Sequence, residues 1–324
     1  MYRLICSIPC VAVLAASMLS AQSNAVPPVV FASSYVNWKN PYADSNGSWL
    51  RGNLHAHTKA SDGKNTLEQM MNAYSNAGFD FLGITDHNVV GDMPASPPLI
   101  MLVGYEFTVV KHMNVLNTAK ELVVVGRSQQ EIIDSNTVNG GISFLDHPDW
   151  NAKPSANKEH YTIDELYSFS NYTGIELINS GVEGSGFAGT SWMKWDRLLS
   201  SGRRVLGFAN HDAHSTNSIR ETATVVRAAD RTSKAVLAAL RSGNFYCYNG
   251  VSITDIGRRG NTIFVGTENA QLIRFISFGG GVIKKVRTNA AELTMTASER
   301  YRYVRIECLG AGDEISYSQP FFRE

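Results

Sequence analysis

His55 and His57 alternate within residues 49–58, a stretch that reads as a strand. A strand's period of two puts both imidazoles on one face, with Leu54 and Ala56 on the other. The polar turn Ser61-Asp62-Gly63 follows before a helix, so Asp62 can lean back over the strand end. Taken alone, His-x-His also fits two polar strand residues with solvated or hydrogen-bonded rings. What favours a ligand cluster is recurrence: the run 79–85 ends in Asp86-His87, His147 follows 141–145, and Asp212 and His214, two apart, follow 204–209. Glu106 sits inside the apolar run 99–109, with His112 just beyond it. A carboxylate buried without a partner costs several kcal/mol, and a cation would remove that cost. Mixed imidazole and carboxylate sets suit Zn, Mn or Fe better than Ca or Mg.

The elements that must position these groups alternate. Apolar residues at helical spacing place helices over 66–76, 128–135, 162–169 and 192–200, the third opened by Thr162 and Glu165 in a capping-box relation. Between them lie about seven strand-like runs, with polar residues collected after the strands. That is the logic of a β/α barrel whose loops at the C-terminal face hold the site. An open doubly wound sheet is the alternative, but it would spread the candidates along one edge. No glycine-rich phosphate loop or dinucleotide fingerprint is present. His160, in a polar loop, and His211, on the far face of its strand, are expected to lie off the site. Beyond Gly250 the pattern changes to short strand-like runs (251–256, 262–265, 271–278, 281–286, 292–295 and 301–308) with no helix between them, the spacing of a small β-sandwich.

Residues 1–25 have the form of a signal peptide: one charge at Arg3, an apolar run to Leu19, and small residues before Val26. The run is shorter and more polar than the roughly 20 apolar residues that span a bilayer, so no stable membrane span is expected. The reading is therefore 1–25 signal peptide, 26–250 catalytic region and 251–324 C-terminal β-sandwich, in a protein that is secreted or periplasmic after cleavage. Lys and Arg total 29 and Asp and Glu total 29, for a formal net charge of zero. With no basic stripe, long DNA or RNA is a poor candidate partner. Cys247 and Cys308 would be the only cysteines after cleavage, free to pair or to stay as separate buried thiols.

Over roughly residues 49–250 the chain resembles the PHP family, named for its polymerase and histidinol-phosphatase members. The resemblance rests on His55-Ala56-His57-Thr58 with Ser61-Asp62-Gly63, Ile84-Thr85-Asp86-His87-Asn88, Gly104-Tyr105-Glu106, His112-Met113-Asn114, Asp146-His147-Pro148 and Asp212-Ala213-His214, in family order. It implies an α/β fold, a distorted (β/α)7 barrel, with three divalent metal ions. By the same resemblance His55, His57, Glu106 and Asp212 would hold one ion, Glu106 with His112 and His147 a second, and Asp62, His87 and His214 the third. The catalytic group would be a metal-bridging hydroxide held by Glu106, His147, His55 and His57. The C-terminal segments, with Ser316-Tyr317-Ser318-Gln319-Pro320, look like the module of the secreted CehA/McbA-like branch.

The implied activity is hydrolysis of a small phosphate mono- or diester. That branch also implies carbamate and ester hydrolysis by the same centre, and a non-catalytic exported binding protein is a third reading. The outer pocket discriminates: a cradle from Lys59, Lys111 or Arg220 would favour phosphate, whereas walls such as Trp150, Phe187 or Trp192 would favour a carbamate or aryl ester. Asp86, Asp146, Asn88 and Asn210 are expected to orient the imidazoles rather than to bind metal.

Overall fold

The computed structural model describes residues 37–118, 124, 126–151, 159–296 and 299–324. The expected signal peptide, and most of an expected strand at 121–126, lie outside them. In chain order the first part runs β1 (Trp38–Lys39), β2 (Ser48–Asn53), α1 (Leu67–Asn76), β3 (Phe81–Ile84), β4 (Ile100–Phe107), β5 (Met113–Leu116), α2 (Gln129–Val138), β6 (Ile142–Leu145), α3 (Ile163–Ser168), β7 (Gly174–Asn179), α4 (Ser180–Gly184), α5 (Trp192–Ser200), β8 (Leu206–Asn210), β9 (Ala223–Ala228), α6 (Ser233–Ser242) and β10 (Phe245–Tyr248). Helices α1, α2 and α3 each begin with a reciprocal capping box, at Thr66 with Gln69, Ser128 with Glu131 and Thr162 with Glu165. Each box satisfies two backbone donors that the first helical turn leaves free. β9, α6 and β10 occupy 223–248, where the sequence reading assigns no element.

The fold is mixed α/β. Strands β2 to β8 are neighbours in sequence order, parallel at β2/β3, β3/β4, β6/β7 and β7/β8, and antiparallel on both sides of the short β5. β3 and β5 to β8 are buried along their whole length, as strands covered on both faces must be. The two ends of this row meet. Asn210, closing β8, accepts the Leu54 N–H with its side chain at 2.9 Å, and the His57 N–H reaches the Ala213 carbonyl at 2.9 Å. That bond explains a correction: the strand expected over 49–58 ends at Asn53, because the next amide is taken by a side chain rather than by a ladder carbonyl. His55 and His57 therefore lie on the chain just past the strand.

The remaining strands are β11 (Ile253–Arg259), β12 (Thr262–Thr267), β13 (Leu272–Ser277), β14 (Gly281–Val286), β15 (Ala290–Thr294), β16 (Tyr303–Leu309), β17 (Ile315–Ser318) and β18 (Phe321–Arg323), with no α-helix between them among the described residues. β11, β12 and β15 form a three-stranded sheet. β13, β14, β16, β17 and β18 extend the main sheet, through the pairing of β17 with β10. Residues Tyr35–Glu324 make one compact unit. Buried polar contacts tie the C-terminal strands down: Gln319 exchanges hydrogen bonds with the Gly207 backbone at 3.0 and 2.7 Å, and its own N–H donates to the Tyr42 hydroxyl at 2.6 Å. Cys247 and Cys308 are buried free thiols, and Cys247 Sγ bonds the Gly207 carbonyl at 3.1 Å. No helix among the described residues is long and apolar enough to cross a membrane.

The strongest tie is ionic. Arg305 on β16 forks onto Asp196 of α5, with Nε to Oδ1 at 2.8 Å and Nη2 to Oδ2 at 2.6 Å, and Nη1 reaches Glu307 at 2.8 Å. Asp196 and Arg305 are both buried. Removing one partner of such a pair strands a charge, at about 3–5 kcal/mol. Asp196→Ala is therefore expected to lose that much stability in urea unfolding, and Asp196→Leu combined with Arg305→Met to recover most of it. A loss below about 1 kcal/mol, the range of exposed pairs, would show that the bridge does not fasten these strands.

Candidate metal centre

The site forms where the strands of the row end. Glu106 is the second-last residue of β4, Asp146 and His147 follow β6, Asn179 and Asn210 close β7 and β8, and Asp212 and His214 follow β8. Two of these turns need left-handed backbone at non-glycine residues, with φ of 31° at His147 and 52° at Asp212. Such residues cost about 1–3 kcal/mol and persist only where their surroundings hold them. Another tight passage lies at the Asp62 turn: a Cβ on Gly63 would come within 2.6 Å of the His57 carbonyl group, so only glycine fits.

Glu106 is the centre of the cluster. Its Oε1 faces His112 Nδ1 at 2.7 Å and His147 Nε2 at 3.7 Å. Its Oε2 faces His55 Nε2 and His57 Nε2, each at 3.5 Å, and His87 Nδ1 at 2.9 Å. Asp212 Oδ1 approaches His55 Nε2 at 3.3 Å and His57 Nε2 at 3.1 Å, while Oδ2 is 3.9 Å from His147 Nε2. Asp62 Oδ2 lies 3.3 Å from His87 Nε2 and 3.2 Å from His214 Nε2. The structure thus brings all nine predicted ligand residues into one cluster.

The donor set fits divalent cations on two observations. First, both Glu106 oxygens, His55 Nε2, His57 Nδ1, His87 Nδ1 and His147 Nδ1 are buried with no hydrogen-bond partner, although several lie at hydrogen-bond distance from one another. The Glu106 oxygens, His55 Nε2 and His87 Nδ1 face one another without the alignment that a hydrogen bond requires. Second, no Lys or Arg pairs with Asp62, Glu106, Asp146, Glu176 or Asp212 among the described residues. Four groups of side chains can each surround one ion: His57, Asp62, His87 and His214; His55, His57 and Glu106; His112, His147 and His160; and His55, Asp146 and Glu176.

The charge states agree. Burial alone would raise the Glu106 and Asp212 carboxyls, but the His55 imidazole leads the groups that outweigh it and hold both well below the usual range. Burial would lower His55, yet Asp212, Glu176, Asp146 and Glu106 together lift it well above its ordinary value. A negative nest retains a proton where it has no other cation. Burial first, then the carboxylates of Glu176, Glu106 and Asp212, override the opposing pull of His55 and push the Asp146 carboxyl up.

Sequence reasoning misses Glu176, the residue that holds the cluster in place. It accepts from His55 Nδ1 at 2.8 Å and Asn210 Nδ2 at 3.0 Å on one oxygen, and from the His147 N–H at 2.9 Å and Asn179 Nδ2 at 2.8 Å on the other. A carboxylate only accepts, so Nδ1 of His55 carries a proton, and it is Nε2 that would give up its own proton to a cation in the cluster. The signal was available: Glu176 is an acid in the apolar run 174–179, as Glu106 is in its own. His160, expected off the site, instead sits against it, grouped with His112 and His147. Its Nε2 accepts the His112 N–H at 3.0 Å, and burial lowers its imidazole to about 2.

The expected orienting residues divide. Asn210 orients Glu176, and Asp146 accepts from Asn114 Nδ2 at 3.1 Å. Asp86 instead fixes the turn that carries Asp62, accepting from the Thr58 N–H at 2.7 Å and the Ser61 hydroxyl at 2.6 Å, and Asn88 bonds Thr108. His211 lies off the cluster as expected, between the Tyr74 hydroxyl at 2.9 Å and the Thr222 carbonyl at 2.6 Å. The cluster opens into a cavity of about 300 Å³ walled by Trp150, Val182 and Phe187. Trp192 lines a different cavity, beside Arg274 and Tyr317. None of Lys59, Lys111 and Arg220 lines the site cavity; Lys111 Nζ pairs with Glu165 at 2.5 Å.

No family model matches the chain, and no curated protein matches it. Among solved structures it is similar to a two-domain protein from Bacteroides vulgatus containing a predicted PHP-like metal-dependent phosphoesterase, at 15% identity and a TM-score of 0.48 over 86% of this chain and 96% of that one. It is also similar to a lesion-specific endonuclease from Pyrococcus furiosus, at 13% identity and a TM-score of 0.45 over 66% and 64%. An amidohydrolase from Chromobacterium violaceum with bound sulfate follows, at 13% identity and a TM-score of 0.37 over 58% and 96%. All three scores are below 0.5, so what this chain does must be read from its own side chains.

Two outcomes follow from the geometry. Glu176→Gln puts an amide N–H against existing donors, and is expected to weaken metal binding about 10- to 100-fold in chelator competition; unchanged affinity would show that Glu176 does not orient His55. Burial holds His211 down at about 4, against about 6.5 in the unfolded chain. Between those values the unfolded state binds a proton that the native state lacks, so stability is full above pH 6.5 and falls as pH drops toward 4. His211→Gln is expected to remove about 3 kcal/mol of that fall in the metal-free protein, and an unaltered slope in urea melts would refute the assignment.

Proposed function

We propose that the chain is a metal-dependent hydrolase that cleaves a small phosphate mono- or diester. The observation that carries this is Glu106, buried with both oxygens unpartnered amid five imidazoles and the Asp212 carboxylate. Ions of Zn, Mn or Fe held by His55, His57, Glu106 and Asp212, by Glu106, His112 and His147, and by Asp62, His87 and His214 would supply Lewis acidity and acidify water at neutral pH. The chain does the rest. Glu176 fixes the His55 tautomer and, through the His147 N–H, the strained turn that aims His147. Tyr161 and His160 hold the His112 backbone by its carbonyl at 2.7 Å and its N–H at 3.0 Å. Trp150, Val182 and Phe187 keep water from one side of the cavity and favour an apolar portion of the substrate.

A second reading, hydrolysis of a carbamate or carboxylic ester, is favoured by the same wall. No Lys or Arg lines the cavity among the described residues, so a substrate without a dianionic phosphate finds no missing partner. The signal-peptide form of residues 1–25 supports the further proposal that the enzyme works outside the cytoplasm.

Paired chromogenic substrates, a phosphomonoester, a phosphodiester and an aryl carbamate, separate these readings when given to metal-reconstituted protein and to His55→Ala. Phosphoester turnover is expected, falling in the variant by more than about a hundredfold, the upper end for residues that merely orient a ligand. Turnover of the carbamate alone would replace the first reading by the second. Tight metal binding without turnover of any of the three would argue for a binding protein instead.

A further inference from the structure

The end of the sheet row opposite the metal cluster carries a second built site. Gly141, Thr173 and Leu206, which stand just before or at the starts of β6, β7 and β8, line a cavity of about 240 Å³ together with Lys39, Arg204 and Arg241. A neighbouring cavity of about 330 Å³ shares Arg204 and Phe322 with it and adds Arg300, Arg302 and Arg323. Six cations from separate sequence positions between 39 and 323 thus line the two cavities that Phe322 joins. Glu324 is the only acidic residue lining either cavity among the described residues. Among the described residues none of the six cations makes an ion pair. Instead Arg241 and Arg302 donate to the carbonyls of Gly140 at 3.3 Å and Ser201 at 3.0 Å, and Arg323 donates to that of Glu299. These bonds hold the heads of Arg241, Arg302 and Arg323 in place without neutralising them, and Arg204 lies against the Phe322 ring. Buried Leu206, Pro320 and Phe322 form an apolar floor, so the two cavities are concave sockets rather than a flat charged face.

Fixed, unpaired guanidinium groups in adjoining sockets suit oxyanions, which accept their parallel donors. We propose that this end of the molecule binds a compact ligand bearing several phosphate, sulfate or carboxylate groups, spanning both cavities across Arg204. The site is independent of the hydrolytic centre: six residues of β7 separate the two ends by roughly 20 Å, about two Debye lengths at physiological salt. Two short sockets favour a compact polyanion over a nucleic acid or a membrane, since neither a long basic track nor an exposed aromatic platform accompanies them.

The test is calorimetric titration of the full-length, metal-loaded protein with sucrose octasulfate as probe and sucrose as the neutral control. Saturable binding of the polysulfate alone is expected, weakened by about tenfold or more both in Arg204→Ala/Arg241→Ala and in Arg300→Ala/Arg302→Ala. Lys284→Ala/Lys285→Ala on β14 is expected to bind as the wild type does, and both site variants to keep the wild-type melting temperature and chromogenic turnover. Absence of binding, or an equal loss in the Lys284/Lys285 variant, would overturn the proposal. So would binding that survives the arginine variants but disappears on chelation, which would put the probe on the metal cluster. Sedimentation with phosphatidylglycerol vesicles without binding of the soluble probe would likewise overturn it, in favour of a membrane.

Discussion

Two buried glutamates in one site are treated in opposite ways, and the rest of the structure follows from the difference. Glu176 receives four hydrogen bonds from His55, Asn210, the His147 backbone and Asn179, so its charge is satisfied by the protein alone. Glu106 receives none that is well formed, although five imidazoles surround it. A buried carboxylate without donors is among the most expensive groups a fold can carry. Glu176 positions two of the five imidazoles, His55 through Nδ1 and His147 through its backbone N–H. The satisfied acid is what makes the unsatisfied one possible.

That arrangement sets demands on the fold. The His147 N–H can reach Glu176 only because His147 adopts a left-handed turn, and Asn179 can touch both Glu176 and Asp212 only if β7 and β8 end in register. Strain at two turns is therefore held by hydrogen bonds from a third strand, and the parallel pairing of β6, β7 and β8 supplies the common level at which all of them act. The C-terminal strands contribute from behind. Gln319 bonds the backbone of Gly207 in the middle of β8, and Arg305 grips Asp196 on α5, the helix that precedes β8. Residues far from the chemistry thus fix the strand whose end carries Asn210 and leads into Asp212.

Much of this was legible in the sequence, for reasons that particular residues make clear. β7 over 174–179 and α5 over 192–200 were readable to the residue, since an apolar run and a helical period are local signals. The nine candidate ligand residues stood out because imidazoles and acids sit in or after apolar runs, and a residue type in a conflicting context is visible without coordinates. Glu176 carried that same conflict but no histidine motif beside it. The end of β2 was not readable, because the residue that stops it, Asn210, is more than 150 positions away. Nor was His160, which reaches His112 across a loop with no periodic signal.

The same limit hides the distribution of charge. A chain with equal numbers of acidic and basic residues looks electrically featureless, and no run of its sequence contradicts that impression. Folding sorts the charges by strand end. The carboxylates of Asp62, Glu106, Glu176 and Asp212 gather at the ends of the row, and Lys39, Arg204, Arg241, Arg300, Arg302 and Arg323 gather at its beginnings. Each group would repel itself if brought together alone, at a cost that grows as water is excluded. At the acidic end Glu106 and Glu176 are fully buried and Asp212 nearly so, while Asp62 stays half exposed, so the buried charges call for close partners. At the basic end the side chains remain largely in water, where repulsion is weak and a soluble anion suffices. Burial therefore decides which of the two ends chemistry can occupy permanently and which it visits.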